Sequence, residues 1–451
     1  MELGGTHQWV VQMNEKLKSH ESSSMEIEKW KKRCIYAVPS SVSDLNKRAY
    51  NPETVSFGPY HHMNKQVVAM EEHKHRALFH FLRRCGKPLE VLIETMAEVK
   101  EDLKDCYKPL DNQWENNDHS FLKMLILDGC FMLEILRFAD CDDNNGRDYE
   151  ENDPIFSCHG RLYVIPYIKR DMLMLENQIP MMVLEKLIEF EGNKNQDIPQ
   201  LLNKLILKFF RRPSPDLILK SKKNFLHILD LYRKSLLPNE PTHPTIVYKQ
   251  TKSTDHEDEI IIPSARELQD AGIKFKPSKT DSLKDVSFIS GILRIPPIIV
   301  DDCTETMLLN LIAFERMHVG AGNEVSAFIF FMDNIIDNEI DVEILERKGI
   351  IQNVLGSDKT VAKLFNSLSR DISVDREGGL DILQVSVRRY CKNPWNKWRA
   401  NLIETYFRNP WALVSLAAAI FLFVLTIVQT TFSILQVTNS NGASPPPRPC
   451  H

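Results

Sequence analysis

A single uncharged stretch near the C-terminus most constrains how this chain can fold. Trp411 to Val428 contains no charged side chain over eighteen residues. As a helix it would be about 27 Å long, close to the hydrocarbon thickness of a bilayer. A buried core helix is the alternative, but core helices seldom carry apolar side chains on every face over this length. We therefore predict one transmembrane helix over residues 409–436, with an anchor formed by Trp411, Leu413, Leu416, Ile420, Phe421, Leu422, Phe423, Val424, Leu425 and Val428.

The charges that flank this stretch predict its orientation. Only Arg448 follows it, whereas the basic residues just before it are Arg388, Arg389, Lys392, Lys397, Arg399 and Arg408. The positive-inside rule then places the large N-terminal part in the cytosol. The aromatic residues expected at the headgroup level are Trp395, Trp398, Tyr406, Phe407 and Trp411. We expect a single-pass protein of the plasma membrane, inserted after translation and ending in a short Pro-rich tail over 437–451.

Three features agree with a cytosolic domain. Residues 1–34 are rich in charged side chains and contain no apolar run of signal-peptide length. No asparagine begins an Asn-x-Ser/Thr sequon, and the nine cysteines are scattered without a Cys-x-x-Cys pair. Reduced thiols in the cytosol fit this spacing better than a disulfide framework does.

The overall composition argues against a nucleic-acid partner. The net charge is −5 and the hydrophobic share is 43%, which is typical of a globular chain able to bury a large core. The basic cluster is Lys29, Lys31, Lys32 and Arg33, and we interpret it as a solvated helix face.

Apolar periodicity predicts mainly helices. The clearest are Ser120 to Arg137 with Asp118 as N-cap, a helix after Pro180, Thr304 to Met317, Glu324 to Ile336, and Val342 to Arg347 with Asp341 as N-cap and Gly349 as the stop. Three short β-leaning runs predict a small antiparallel sheet: Ile273–Phe275, Val286–Phe288 and Ile292–Ile295.

The predicted fold class is therefore mainly α, with a large helical globular domain, a small antiparallel β insertion and one C-terminal transmembrane helix. We divide the chain into an N-terminal extension over 1–34, a helical domain over 35–405, the anchor and the tail. Within the domain we expect an acidic loop at 140–153, a polar loop at 249–259 and the sheet at about 273–296.

Two patterns resemble metal sites. Asp140, Asp142, Asn144 and Glu151 have the spacing of calcium ligands in an EF-hand loop, but Asn145 stands where that loop needs glycine. The histidines between His61 and His80 suggest zinc, but His73 and His75 are two residues apart and would point away from each other on a helix. We assign no metal site.

Carboxylates within apolar runs are the remaining chemical candidates. Asp128, Glu176 and Glu315 could form an acid/base pair if they converged, although buried acids are more often bonded to backbone amides or arginine. The chain contains no nucleophile elbow, phosphate-binding glycine loop or dinucleotide motif. We therefore assign no catalytic residue and no cofactor.

Several ordered strings resemble the plant family known as domain of unknown function 247. They are Ile35–Pro39, Tyr50–Pro52, Ser56–His62, Met70–Lys74, Leu127–Phe131, Leu175–Pro180, Ala271–Phe275, Ile295–Pro297, Asn310–Glu315 and Tyr406–Trp411. The resemblance extends from about Ile35 to Gln436. One departure is Arg266, where the family usually has threonine.

The resemblance implies a C-terminal single-pass anchor and no known activity, cofactor or catalytic residue. Two hypotheses follow. The first is a membrane-tethered interaction or scaffold protein, whose partners are the lipid bilayer and an unidentified protein. Ser415 and Ala419 either permit close approach of two anchors in a homo-oligomer or form a patch that faces lipid. The alternative is a membrane-bound enzyme that uses Asp128 and Glu176 or the His61–His80 region, and convergence of these groups in one pocket would favour it.

Overall fold

The computed structural model describes most of the chain, and the fold is built mainly from helices. The described residues are 9–15, 22–138, 149–192, 197–212, 224–238, 262–372, 379–402 and 410–440. The predicted polar loop at 249–259, residues 140–148 of the predicted acidic loop, and the tail beyond residue 440 lie outside them. So do the calcium-like positions Asp140, Asp142 and Asn144.

The helices are α1 Ser22–Lys32, α2 Ser40–Ser43, α3 Lys47–Tyr50, α4 Met70–Cys85, α5 Leu89–Ala97, α6 Lys100–Asp105, α7 Asn112–Glu115, α8 Asp118–Phe138, α9 Cys158–Tyr163, α10 Ile165–Asp171, α11 Met181–Glu191, α12 Ile198–Phe209, α13 Ile228–Ser235, α14 Ala265–Asp270, α15 Thr304–Met317, α16 Glu324–Ile335, α17 Glu339–Arg347, α18 Asp358–Leu368, α19 Gly379–Lys392, α20 Pro394–Leu402 and α21 Pro410–Ser440. The strands are β1 Ile35–Tyr36, β2 Tyr107–Lys108, β3 Lys274–Pro277, β4 Ser287–Ile289, β5 Ile292–Ile295, β6 Ile298–Val300 and β7 Ile351–Asn353. The prediction of a mainly helical fold, with a small sheet and one C-terminal helix long and apolar enough to cross a membrane, is confirmed.

Helix α8 is the centre of the first half of the domain. Its side chains are buried almost without interruption from Phe121 onward, because α4, α5, α11 and α12 pack around it. Gly129 lets α11 come close, since a Cβ there would lie 2.8 Å from Val183 and from Leu187. Nearly every face of α8 therefore contributes to the core, which explains its continuous apolar sequence.

The second half of the domain is formed around α15, α16, α17 and α18, which pack against one another. Phe314, Phe328, Phe331 and Phe365 are fully buried there. The two halves share one apolar core, and the N-terminal residues around Tyr50 contact α15 through α3.

The sheet at 274–295 is mixed, which corrects the wholly antiparallel arrangement that we predicted. β4 and β5 form the expected antiparallel hairpin through Ser290 and Gly291, both with positive φ. β3 pairs with the other side of β5 in parallel. The chain between β3 and β4 crosses over β5, so β5 becomes the central strand. Two further parallel pairs, β1 with β2 and β6 with β7, were not predicted.

Two predicted N-caps are wrong by a few residues. Asn117, not Asp118, accepts the amide of Ser120 at the start of α8, while Asp118 forms ion pairs with Lys100 and Lys104. Asn338, not Asp341, is the N-cap of α17. Asp341 completes the capping box and also accepts the backbone amide of Arg266. The departure at Arg266 therefore leaves this contact intact, because the backbone makes it.

Helix α21 contains the predicted anchor. Its stretch Val414–Thr438 has 25 residues and a mean hydropathy of 2.2, and none of it is buried. By length and composition it could cross a membrane.

Candidate functional site

Several of the strings that resemble the family, those that contain Lys74, Asp128, Asn177 and Asn310, contact one segment, residues 49–61, which we call the N-terminal segment. Asp171, fully buried at the end of α10, accepts three of its backbone amides: Glu53, Thr54 at 2.7 Å and Val55 at 3.0 Å. These three consecutive amides have no neighbouring strand to bond to, and the short carboxylate of Asp171, fixed at a helix end, supplies the acceptors that they need.

The amide side chains of the loop before α11 continue this arrangement. Asn177 accepts the amide of Phe57 at 2.6 Å and donates to the backbone carbonyls of Val55 and Asp171. Gln178 donates to the carbonyls of Met172 and Met174 and accepts the amide of Leu229. These two residues therefore replace the backbone ladder that an irregular loop cannot provide.

Asp128 holds the N-terminal segment from the side of α8. Its Oδ2 accepts the amide of Gly58 at 2.7 Å, and its Oδ1 lies 2.6 Å from Nζ of Lys74 on α4. Lys74 is fully buried and also donates to Glu71 and to the carbonyl of Ser56, each at 2.6 Å. Burial alone would lower the pKa of Lys74, yet Asp128 and Glu71 raise it above its usual value.

Glu176 holds a different part of the chain. Its Oε1 accepts the amide of Val38 at 2.5 Å, and its Oε2 lies 3.0 Å from Nε2 of His61. Glu315 on α15 lies in the other half of the domain, where it binds Arg233 at 2.5 Å and accepts the amides of Val325 and Ser326. The expectation that buried acids bond to amides or arginine is confirmed for Asp128 and Glu315, and the partly buried Glu176 also accepts an amide.

The histidines between His61 and His80 are dispersed. The ring of His62 packs edge-on against Trp114, while that of His80 lies 4.1 Å from the ring of Tyr149. His75 is exposed, and burial lowers the pKa of His73. In the described part of the chain, no three His, Cys, Asp or Glu side chains are grouped as a metal site requires. Of the groups proposed for an enzyme, His61 is paired with Glu176, whereas Asp128 is paired with Lys74, so the two carboxylates have separate partners.

His227 is the N-cap of α13 and is fully buried. Its Nδ1 accepts the amide of Asp230 at 3.3 Å, and its Nε2 lies 3.1 Å from the carbonyl of Cys34. The neutral ring satisfies both contacts, because one nitrogen accepts and the other donates. Burial lowers the pKa of His227 to about 4, although Asp230 opposes this.

We expect this histidine to make the fold sensitive to mild acid. The unfolded state takes up a proton near pH 6.5 and the folded state only near pH 4, so the stability that His227 gives above pH 6.5 is lost as the pH falls through this interval. The loss between pH 7 and 5 is about 2 kcal/mol. Urea titrations at pH 7 and pH 5 should show that the free energy of unfolding falls by about 2 kcal/mol more in the wild type than in His227→Asn. Burial raises the pKa of Asp171 to about 6, so this group makes the fold more stable as the pH falls. The wild type and the variant share this effect, and it cancels when the two proteins are compared. Equal pH dependence in the two proteins would contradict the assignment.

A cleft of about 610 Å³ lies where α14, α16, α18 and α19 meet. Its acidic residues are Glu267, Asp333 and Asp337, and its basic residues are Arg388 and Lys392. Burial raises the pKa of Asp333 and of Asp337, and Glu267 contributes to the latter. Nδ2 of Asn334 and Oδ1 of Asn366 are shielded there without a hydrogen-bond partner. Charges of both signs beside amide groups suit a peptide-like ligand.

Sequence reasoning did not find this cleft or several of the residues that hold the N-terminal segment. The cleft is lined by four separate segments that lie between Ile262 and Lys392, so no local pattern marks it. Lys74 lies between His73 and His75 and has the sequence surroundings of a solvated lysine. Asn310, which donates to the carbonyl of Ala49 and accepts the amide of Leu175, looks from sequence like an ordinary polar position of α15. The only signal was that both lie within the family-like strings.

Comparisons with known proteins agree with that resemblance. A family model described as a plant protein of unknown function, DUF247, matches residues 35–425. The UPF0481 protein At3g47200 of Arabidopsis thaliana is 32% identical over 438 residues, which cover 92% of this chain and 90% of that protein. The putative UPF0481 protein At3g02645 of the same plant is 22% identical over 517 residues, with 93% of each chain covered. No solved structure matches the chain. None of these descriptions names an activity or a partner.

Proposed function

We propose that this chain, which belongs to the plant protein family of unknown function DUF247, is a single-pass membrane protein whose helical domain binds another protein. The observation that carries the proposal is α21. Phe421, Leu422 and Phe423 are all exposed, and successive helical residues point about 100° apart, so the middle of this helix is apolar on every side. A bilayer would cover all of its faces at once.

The free energy of membrane insertion also favours a transmembrane position for α21. The eleven strongly apolar residues between Leu413 and Val428 together favour insertion by about 3 to 6 kcal/mol. The family match also continues into the helix as far as residue 425, so the family model includes the first part of the apolar segment. The basic residues before the helix support a cytosolic domain, and we propose the plasma membrane as its location.

Binding is favoured over catalysis because of where the chemical candidates lie. Asp128, Glu176 and Glu315 occupy separate places and are engaged by backbone amides and cations. Groups engaged in this way hold the chain together and are poorly placed to exchange protons with a substrate. The cleft beside α19, by contrast, offers polar groups that a partner's peptide segment could bind, and we propose it as the docking place.

Alkaline carbonate extraction of membranes from cells that express the full chain tests the anchor. Wild type should stay in the membrane pellet. Leu422→Arg together with Leu425→Arg should move most of the protein to the supernatant, because each arginine at the helix centre costs about 2.5 to 3.5 kcal/mol of insertion energy. The matched control carries isoleucine at both positions and should behave as wild type. Extraction of the wild-type protein by carbonate would overturn the anchor.

Proximity labelling from the same membranes tests the interaction. A fused labelling enzyme should mark a reproducible partner, and deletion of residues 409–436 should lose it. Asp333→Asn with Asp337→Asn, which removes two carboxylates from the cleft while keeping side-chain size, should weaken labelling of that partner. A labelled set unchanged by both variants would contradict the proposal, whereas loss with the deletion alone would place the partner elsewhere on the domain.

A further inference from the structure

Helix α19 presents two different faces. Gln384, Val387 and Cys391 are buried against the domain, and Tyr390 packs edge-on against Phe288 of β4. On the outer side, Ile382 and Val385 are each 48% exposed, and Arg389 follows one turn later. Positions spaced by three and four residues share one side of a helix. The helix is therefore fixed to the domain by one face and leaves an apolar and basic face outside.

Helix α20 continues this outer surface with aromatic side chains. Trp395 and Trp398 are 64% and 56% exposed, and their ring centroids are 5.1 Å apart. Arg399 donates to the hydroxyl of Tyr390 at 2.9 Å, and Asn396 donates to the carbonyl of the same residue at 3.0 Å. These bonds tie α20 to α19, so the tryptophans are held at the surface of the domain.

The charge of this region is opposite to that of the whole chain. Residues 379–402 contain five Lys or Arg and a single acidic residue, Asp381, which is buried. Their net charge is thus +4, whereas the whole chain carries −5. A local positive patch on an acidic protein attracts an anionic partner surface.

The covalent chain keeps this region near the membrane if α21 spans it. Leu402, which ends α20, is eight residues before Pro410, which begins α21. Eight residues reach at most about 29 Å, whatever their conformation. The C-terminal end of α20 must therefore lie within that distance of Pro410, where α21 begins.

We propose that the outer surface formed by Ile382, Val385, Arg389, Lys392, Trp395 and Trp398, here called the α19–α20 face, lies on an anionic lipid bilayer, with Lys392 at its border with the cleft. The inference rests on the proposed anchoring by α21. Tryptophan rings are favoured at the headgroup level, apolar side chains on a basic helix face enter the interface, and lysine and arginine bind anionic headgroups. Because α19 is part of the domain core, this contact fixes how the whole domain is oriented against the membrane.

Hydrogen–deuterium exchange of the full chain in lipid nanodiscs tests this inference. We expect amides of residues 379–402 to exchange about tenfold more slowly in discs with 30% phosphatidylserine than in discs of phosphatidylcholine alone, and 0.5 M salt should remove most of the difference. Arg389→Glu with Lys392→Glu should abolish the slowing. The matched control is Lys204→Glu with Lys208→Glu, two exposed lysines one turn apart on α12, and it should leave the slowing unchanged.

The same experiment tests the lipid contact of the α19–α20 face and the membrane span of α21 independently. Amides of residues 414–438 report the span, and they should be protected in both kinds of disc and in both variants. Protection of the span without any lipid-dependent slowing at 379–402 would overturn the α19–α20 contact and leave the anchor standing. Rapid exchange of the span itself would overturn the anchor, and the inference with it. Slowing that survives the Arg389 and Lys392 reversal would also overturn the assigned surface.

Discussion

Asp128→Asn should lower the free energy of unfolding by about 3 kcal/mol or more, because it leaves the buried ammonium group of Lys74 with only one of its two carboxylate partners. The asparagine still accepts the amide of Gly58 and has nearly the same volume, so the loss reports charge and not packing. Glu71 remains 2.6 Å from Lys74 and still partly neutralises its charge, so we expect the loss of stability to be about 3 kcal/mol and not far above it. A urea titration of the detergent-purified chain, followed by circular dichroism, measures the change.

A double-mutant cycle shows whether the two groups act as a pair. Lys74→Met alone should also be strongly destabilising, since it leaves Asp128 buried without its cation, and the double variant should cost clearly less than the sum of the two. The matched control is Glu343→Gln, which removes the charge of an exposed ion pair with Arg347 and should change stability by less than about 1 kcal/mol. Additive losses at Asp128 and Lys74 would show that the pair is not coupled.

The carboxylates and the helices illustrate what a sequence of this kind can reveal. A charged residue inside a long apolar run, as at Asp128, must be buried and therefore bonded, so its structural role was predictable from local sequence. The partner of Asp128 was not predictable, because Lys74 lies 54 positions earlier, in a segment that has the polarity of a solvated helix face. Long helices such as α8 and α15 have enough turns for their period to be recognised, and their ends were predicted to within about two residues.

Short strands and the cleft escaped prediction for a different reason. β1 and β2 have two residues each and join Ile35 to Tyr107, so neither has a period of its own. The parallel pairing of β3 with β5 depends on the path of the connecting chain, and alternation within a strand is the same for either direction. The cleft likewise exists only after α16 and α19 have packed. Local sequence thus predicts elements and buried charges, whereas distant pairing follows from the assembled core.

Gly58→Ala should be strongly destabilising for two independent reasons. Gly58 has φ of +72°, in the left-handed region, where an alanine costs about 1 to 2 kcal/mol. Its added Cβ would also lie 2.6 Å from the carbonyl oxygen of Gln178, a backbone atom fixed by the contacts of the loop before α11. Relief of this clash would pull the amide of Gly58 away from Asp128 and disturb the adjacent Lys74 pair. Together these effects should exceed about 3 kcal/mol in a urea titration.

Gly86→Ala separates the two causes. Gly86 ends α4 with φ of +64°, almost the same backbone conformation, but a Cβ there would meet nothing within 4 Å. The variant should therefore lose only the conformational part, about 1 to 2 kcal/mol. The excess loss at Gly58 measures how closely the N-terminal segment is pressed against the loop that carries Asn177 and Gln178. Equal losses at the two glycines would mean that the segment can move aside, and that the polar contacts around it hold it less firmly than their geometry indicates.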